Sequence, residues 1–325
     1  MALRDVPGQG RARSLLQNAI RSGRVAHAYL FAGPAGSGRL AMAQAFAQTL
    51  LCEKQGEDAC GECLECRKVL HGNHPDLHLI APDGASVKIE QIRELQRELS
   101  YRSAGAGRKI YIIEGAETMT VQAANSLLKF LEEPPSPVVA MLIAPSAQAV
   151  LPTILSRSQL VPFVPGDPLE LEQALIAEGA APLLARTAVH LASGLDGARA
   201  YIQENWFAET RNVVIQLGKE MPSRFPAVLL TAQQQVFKTV LAEHIDIMLQ
   251  MLALWYRDMI YILTGREDRL VFADQKDWLS KNAWSRSLDS WVRAMELTLT
   301  AARRIKANVQ PQLALEQLLV NSREG

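Results

Sequence analysis

Net charge is what this 325-residue chain most plainly lacks: Lys+Arg and Asp+Glu each number 34. The whole-chain balance therefore predicts no nucleic-acid or membrane partner, and any basic surface has to be local. Aromatic residues are few, 6% beside 48% hydrophobic residues overall, which suits an ordinary helix-rich soluble protein. No run of about 18 uninterrupted apolar residues occurs, so no membrane span is expected. The opening "MALRDVPGQGRARSLLQNAI" lacks the uncharged apolar core of a signal peptide, and the expected setting is cytoplasmic. Internal repeats and low-complexity tracts are missing as well. The length suffices for two or three domains with a sizeable core.

Cysteine is scarce too, but its four copies fall within "CEKQGEDACGECLEC": Cys52, Cys60, Cys63 and Cys66, spaced C-x7-C-x2-C-x2-C. Zinc takes four thiolates tetrahedrally, and two-residue gaps let one turn present adjacent ligands. Incidental thiols or disulfides are the competing reading, weakened by the expected cytosolic setting. With four protein ligands no coordination position stays open, so the expected zinc is structural.

Apolar spacing predicts the elements. Residues 9–21 carry Ala12, Leu15, Leu16, Ala19 and Ile20 at helical intervals. Short apolar runs at 26–33, 76–81, 109–115, 138–144 and 158–163 read as strands. Helical patterns at 39–51, 88–101 and 120–133 separate them. Strands alternating with helices predict an α/β domain, a parallel sheet covered on both faces. The turn-rich "VPGDP" at 164–168 ends the strand signal. Short helices follow to about residue 205, then longer amphipathic ones, including 233–263 and 288–306. Three domains are expected: α/β at 1–165, a small helical lid at 166–207 and an all-helical C-terminal domain at 208–325.

The stretch "GPAGSGRL" poses the functional question. Gly33, Gly36 and Gly38 sit between a strand and a helix in the manner of a phosphate-binding loop, G-x-x-x-x-G-K-[ST]. Yet Arg39 stands at the lysine position and Leu40 where a hydroxyl would ligate magnesium. The strand "KIYIIEGAE" ends in Glu114 followed by Gly115, where a working site wants Asp and then usually a carboxylate that orients water. Three lost groups leave little room for ATP hydrolysis. The glycines either pack the helix or cradle an anion weakly through backbone N–H groups. Three cations in "YRSAGAGRK" at 101–109 offer a weak alternative, a direct DNA contact.

By 120–135 a resemblance is evident. "TVQAANSLLKFLEEPP" resembles the signature helix of the clamp-loader branch of AAA+ proteins. "NHPDLHLI" at 73–80, the cysteine module and "LPTILSRSQ" at 151–159 fall in the order seen in bacterial replicative clamp loaders. The match spans most of 1–205; the C-terminal helices resemble the family's collar only in length and character. In that family gamma/tau subunits keep GKT and DE motifs, whereas the delta-prime branch lacks a working ATP site but keeps the zinc module and the S-R-C motif. This sequence resembles the latter.

The resemblance implies a P-loop AAA+ domain, a lid and a collar. It also implies assembly with gamma/tau ATPases and a delta subunit in a hetero-pentamer that acts on a sliding clamp and primed DNA. ATP would be bound weakly or not at all and would not be hydrolysed; the alternative is a divergent but active ATPase using Arg39 and Glu114. Arg157 would be an arginine finger supplied to a neighbour's ATP site, with Ser158 departing from the family's cysteine. Without that context it reads as a solvated surface arginine. Arg199 resembles the sensor-2 arginine, with a structural role as the alternative. The sensor-1 position, near Pro145 and Ser146, departs from the polar residue that a working motor would use. Glu132 and Glu133 are expected to cap or pair near their helix end.

Overall fold

A computed structural model describes residues 2–100, 108–132, 137–221, 225–307 and 309–321. The chain forms two compact units, residues 1–171 and 172–325.

In the first unit, α1 (Gly10–Arg21), α2 (Arg39–Leu51), α3 (Leu64–Leu70), α4 (Ile89–Ser100), α5 (Val121–Glu132) and α6 (Pro152–Leu155) alternate with strands. Among the described residues, β1 (Ala28–Ala32), β2 (Leu77–Ile80), β3 (Lys109–Ile113), β4 (Val138–Ala144) and β5 (Gln159–Pro162) form one sheet, ordered β2-β3-β4-β1-β5. Every pairing is parallel, with Ala28 opposite Ala140 and Tyr29 opposite Gln159.

Period-2 alternation sends Tyr29, Phe31, Ile110, Ile112, Met141 and Ile143 toward α1 and α2. Leu30, Tyr111, Ile113 and Leu142 go to the opposite face, against α4 and α5. Because both faces of β1, β3 and β4 are buried, these central strands read as largely apolar runs, whereas the edge strands β2 and β5 are partly exposed. Small residues on the α5 side, Ala28, Ala32, Ala140 and Ala144, let that helix approach.

Tyr111 is fully buried and its hydroxyl has no hydrogen-bond partner among the described residues; burial alone pushes its pKa up. A lone buried hydroxyl costs about 1–3 kcal/mol. Tyr111→Phe keeps the ring beside Phe130 and is expected to raise stability to urea by about 1 kcal/mol; an unchanged or lower midpoint would place an unseen partner at that oxygen.

The second unit is helical: α7 (Pro168–Ala177), which crosses the boundary, α8 (Pro182–Leu191), α9 (Gly194–Gln203), α10 (Asn205–Glu220), α11 (Phe225–Thr231), α12 (Ile245–Leu263), α13 (Lys276–Asn282), α14 (Leu288–Lys306) and α15 (Pro311–Asn321). Its core gathers around α12, with Trp255, Met259 and Ile262 buried. Buried Arg211 pairs with Asp274 and lies over the Phe272 ring. The Asp258 carboxylate accepts the Val271 and Phe272 N–H groups. No helix among the described residues is long and apolar enough to cross a membrane.

The expected helix over 233–263 is instead broken. A π-helical turn at Ala232–Val236 and a 3-10 turn at Val240–His244 precede α12. Thr239 between them is extended, φ −128° and ψ 176°, and its hydroxyl accepts the Leu241 N–H at 3.2 Å. This side-chain bond competes with the helix ladder, an effect that hydrophobic spacing does not register.

Candidate functional site

The glycine loop leaves the carboxyl end of β1, which lies between β4 and β5. In open α/β sheets this reversal point is where ligands sit. Gly36 and Gly38 adopt φ of 71° and 78°, left-handed conformations that glycine takes freely. Gly33 needs glycine for a different reason, lack of room: an added Cβ would lie 2.5 Å from the Phe163 Cβ and 2.6 Å from its carbonyl oxygen. A Cβ on Gly38 would meet Val6 at 3.1 Å. Packing therefore accounts for glycine at position 33, and the left-handed backbone, with Val6 close by, for glycine at 38.

The side chains that follow serve the fold as well. Leu40 packs with the apolar cluster of α1, α2 and the sheet. Arg39 is half-buried; desolvation pushes its pKa down, Glu117 and Glu114 pull it back, and its Nη1 has no hydrogen-bond partner among the described residues. Gly115 turns at φ 64°, and a Cβ there would lie 2.9 Å from the Pro82 ring. A carboxylate side chain at 115 is thus disfavoured twice, by backbone conformation and by space.

The cysteine module joins α2 to α3. The four Sγ atoms lie within 4.8 Å of one another, with Cys52–Cys63 at 4.0 Å and Cys60–Cys66 at 3.9 Å. All four are free thiols. Tetrahedral zinc with bonds of about 2.3 Å needs sulfurs about 3.8 Å apart, so the donor set fits that ion. Backbone N–H groups of Cys63 and Glu62 favour the Cys60 thiolate and bring its pKa down to about 6, whereas burial pushes the Cys66 thiol up. Asp58 fastens the module to the chain start: its carboxylate accepts the Leu3 and Arg4 N–H groups at 2.7 and 3.2 Å. Glu57 adds a two-pronged pair with Arg21. Buried His74, in the "NHPD" stretch, sits 2.7 Å from the Glu65 carboxylate.

Arg157 follows α6. Its Nη1 donates to the Thr153 carbonyl at 3.0 Å and to Ser156 Oγ at 3.3 Å, and its Nη2 lies 2.5 Å from Glu132 Oε1 at the end of α5. The side chain is 37% exposed. Sequence reasoning expected Glu132 to cap or pair, without naming Arg157, 25 positions away. Glu133 lies outside the described residues.

Arg199 is committed within its own unit. Nε and Nη2 grip both oxygens of Glu178 at 2.9 and 2.8 Å, and Nη1 takes Asp196 at 2.6 Å. The Glu178 carboxylate raises its pKa further. Most of the 101–109 segment lies outside the described residues. Of its cations, Lys109 is buried, donating to the Glu98 carbonyl at 2.7 Å.

Comparison with known proteins gives the family. A family profile described as "DNA polymerase III, delta subunit" matches residues 8–167. The DNA polymerase III subunit delta' of Bacillus subtilis is 38% identical, over 98% of this chain and 97% of its own. That of Pseudomonas aeruginosa is 35% identical, over 91% of each. A solved gamma subunit-related protein of Thermotoga maritima, 21% identical, covers 96% of this chain and 99% of its own at a TM-score of 0.50. The last likeness concerns the fold alone. The chain belongs to the delta-prime subunits of DNA polymerase III.

Proposed function

We propose that this subunit serves the clamp loader as its non-hydrolysing stator. It would dock beside a gamma/tau ATPase and a delta subunit in a hetero-pentamer and project Arg157 into the neighbour's ATP site. The assembly would then place a sliding clamp on primed DNA, at the replisome in the cytoplasm. The helices at 166–207 would act as the lid and those at 208–325 as the collar.

One observation carries the reading. The phosphate loop keeps its glycines where Phe163 and Val6 require them, while magnesium and water ligands are replaced by the packed Leu40 and by Gly115. An arginine supplied in trans stabilises charge on the transferring phosphoryl group and needs no nucleotide of its own. Half-exposed Arg157 suits that task; Arg199, held by Glu178 and Asp196, suits a structural one.

In the reconstituted assembly, Arg157→Ala is expected to lower partner ATP turnover by about tenfold or more. Wild-type turnover and clamp loading in that variant would remove the finger. Magnesium-dependent hydrolysis by the isolated chain, lost on Arg39→Ala, would replace the stator with a divergent active ATPase. That second reading draws on the nearness of Arg39 to Glu114.

The cysteine module we assign to structural zinc, held by Cys52, Cys60, Cys63 and Cys66. When bound, the ion supplies cross-linking of the loop to α2 and α3. The protein's own part is to hold the four sulfurs together, through N–H bonds to Cys60 and Cys63 at 3.4 Å each and the Asp58 anchor.

A further inference from the structure

We infer that Glu132 is the positioning residue of the arginine finger. This rests on the proposed role of Arg157 and extends it to a second side chain. An arginine carries about 2 kcal/mol of rotamer entropy, so an unsupported finger would sample many poses away from the phosphate. Here three groups of its own chain hold the guanidinium: the Thr153 carbonyl and Ser156 Oγ accept from Nη1, and the Glu132 carboxylate pairs with Nη2. Nε finds no acceptor among the described residues and stays available to phosphate oxygens. The contacts fix the head group and leave one donor side open.

The location of Glu132 supports the same assignment. As the last residue of α5 it places a carboxylate at the negative end of the helix dipole, where a cation would stabilise the helix and an anion does not. The helix gives no reason for an acid at this position. Its partner does: the ion pair ties the end of the family's signature helix to the turn after α6, on which Arg157 is mounted.

The test uses the full assembly with gamma/tau and delta subunits, sliding clamp and primed DNA. Glu132→Ala is expected to lower the ATPase kcat by about fivefold, the effect of about 1 kcal/mol of lost ion pairing. KM for ATP stays within about twofold, because the finger acts on the transition state. Glu132→Gln, whose amide oxygen offers an acceptor at the same place, keeps most of the rate. In the Arg157→Ala background, Glu132→Ala adds no further loss. Three results would overturn the inference while leaving the finger intact: Glu132→Ala at the wild-type rate beside an impaired Arg157→Ala, both Glu132 variants faster than wild type, or an equal loss with and without Arg157. An Arg157→Ala assembly that turns over normally would instead overturn the finger, and the inference with it.

Discussion

Stripping zinc from the purified subunit is expected to melt the 52–66 module and to lower the thermal midpoint of the first unit. Structural zinc binds Cys-rich sites with an apparent free energy of about 10–16 kcal/mol, and that energy is available only while the ligands are held together. If about 4 kcal/mol of it is coupled to folding of the surrounding unit, the midpoint falls by about 10 °C. The coupling runs through named contacts. Asp58 holds the Leu3 and Arg4 N–H groups, Glu57 holds Arg21, and Gln48 on α2 donates to the Cys66 carbonyl at 2.9 Å. Cys66→Ser should be more damaging than Cys60→Ser, because Cys66 is fully buried and Cys60 only partly so. Thermal melts with and without chelator, followed by zinc re-addition and metal analysis, check the expectation. Identical melts, or a metal content near zero in protein never exposed to chelator, would remove the metal from the account.

Gly33→Ala is expected to destabilise the first unit by about 3 kcal/mol or more, as overpacking against backbone does. The added methyl would meet Phe163 at its Cβ, its carbonyl oxygen and its carbonyl carbon, at 2.5, 2.6 and 3.0 Å. Phe163 cannot retreat cheaply: its N–H donates to the Ala32 carbonyl at 2.7 Å, and its ring packs against Phe31. Gly36→Ala is the comparison, since Gly36 has a positive φ, a strain expected to cost about 1 kcal/mol. Urea unfolding of the two variants separates the reasons for which a phosphate loop keeps glycine. Equal, small losses would mean that the close approach of Phe163 relaxes freely and that the first glycine is not there for packing.

The centre of the sheet was legible because burial on both faces favours an unbroken apolar run: "VVAMLIA" is β4 from end to end. The helix α2 was equally plain, bounded by Gly38 and by Cys52. The 232–244 region was not, since apolar spacing runs on through a break set by one hydroxyl on Thr239. At the candidate site, cysteine spacing announced the sulfur cluster. The role proposed for Arg157 rests on resemblance alone, and its pairing with Glu132 was not anticipated. Such pairs form between segments that β4 and α6 bring together, and nothing local in "LEEPP" or "SRS" encodes the meeting. The Asp58 link to Leu3, 55 positions apart, was hidden for the same reason.

That link also bears on how the protein can be handled. Residues 3–9 run from Asp58, past Val6 beside Gly38, to Gln9, whose amide exchanges hydrogen bonds with both the carbonyl and the N–H of Val164 after β5. A single short segment thus laces together the sulfur cluster, the glycine loop and the end of the sheet. An affinity tag or a trimming that pulled on this lace would disturb all three at once, and a loss of partner stimulation in such a preparation would imitate a finger defect with Arg157 untouched.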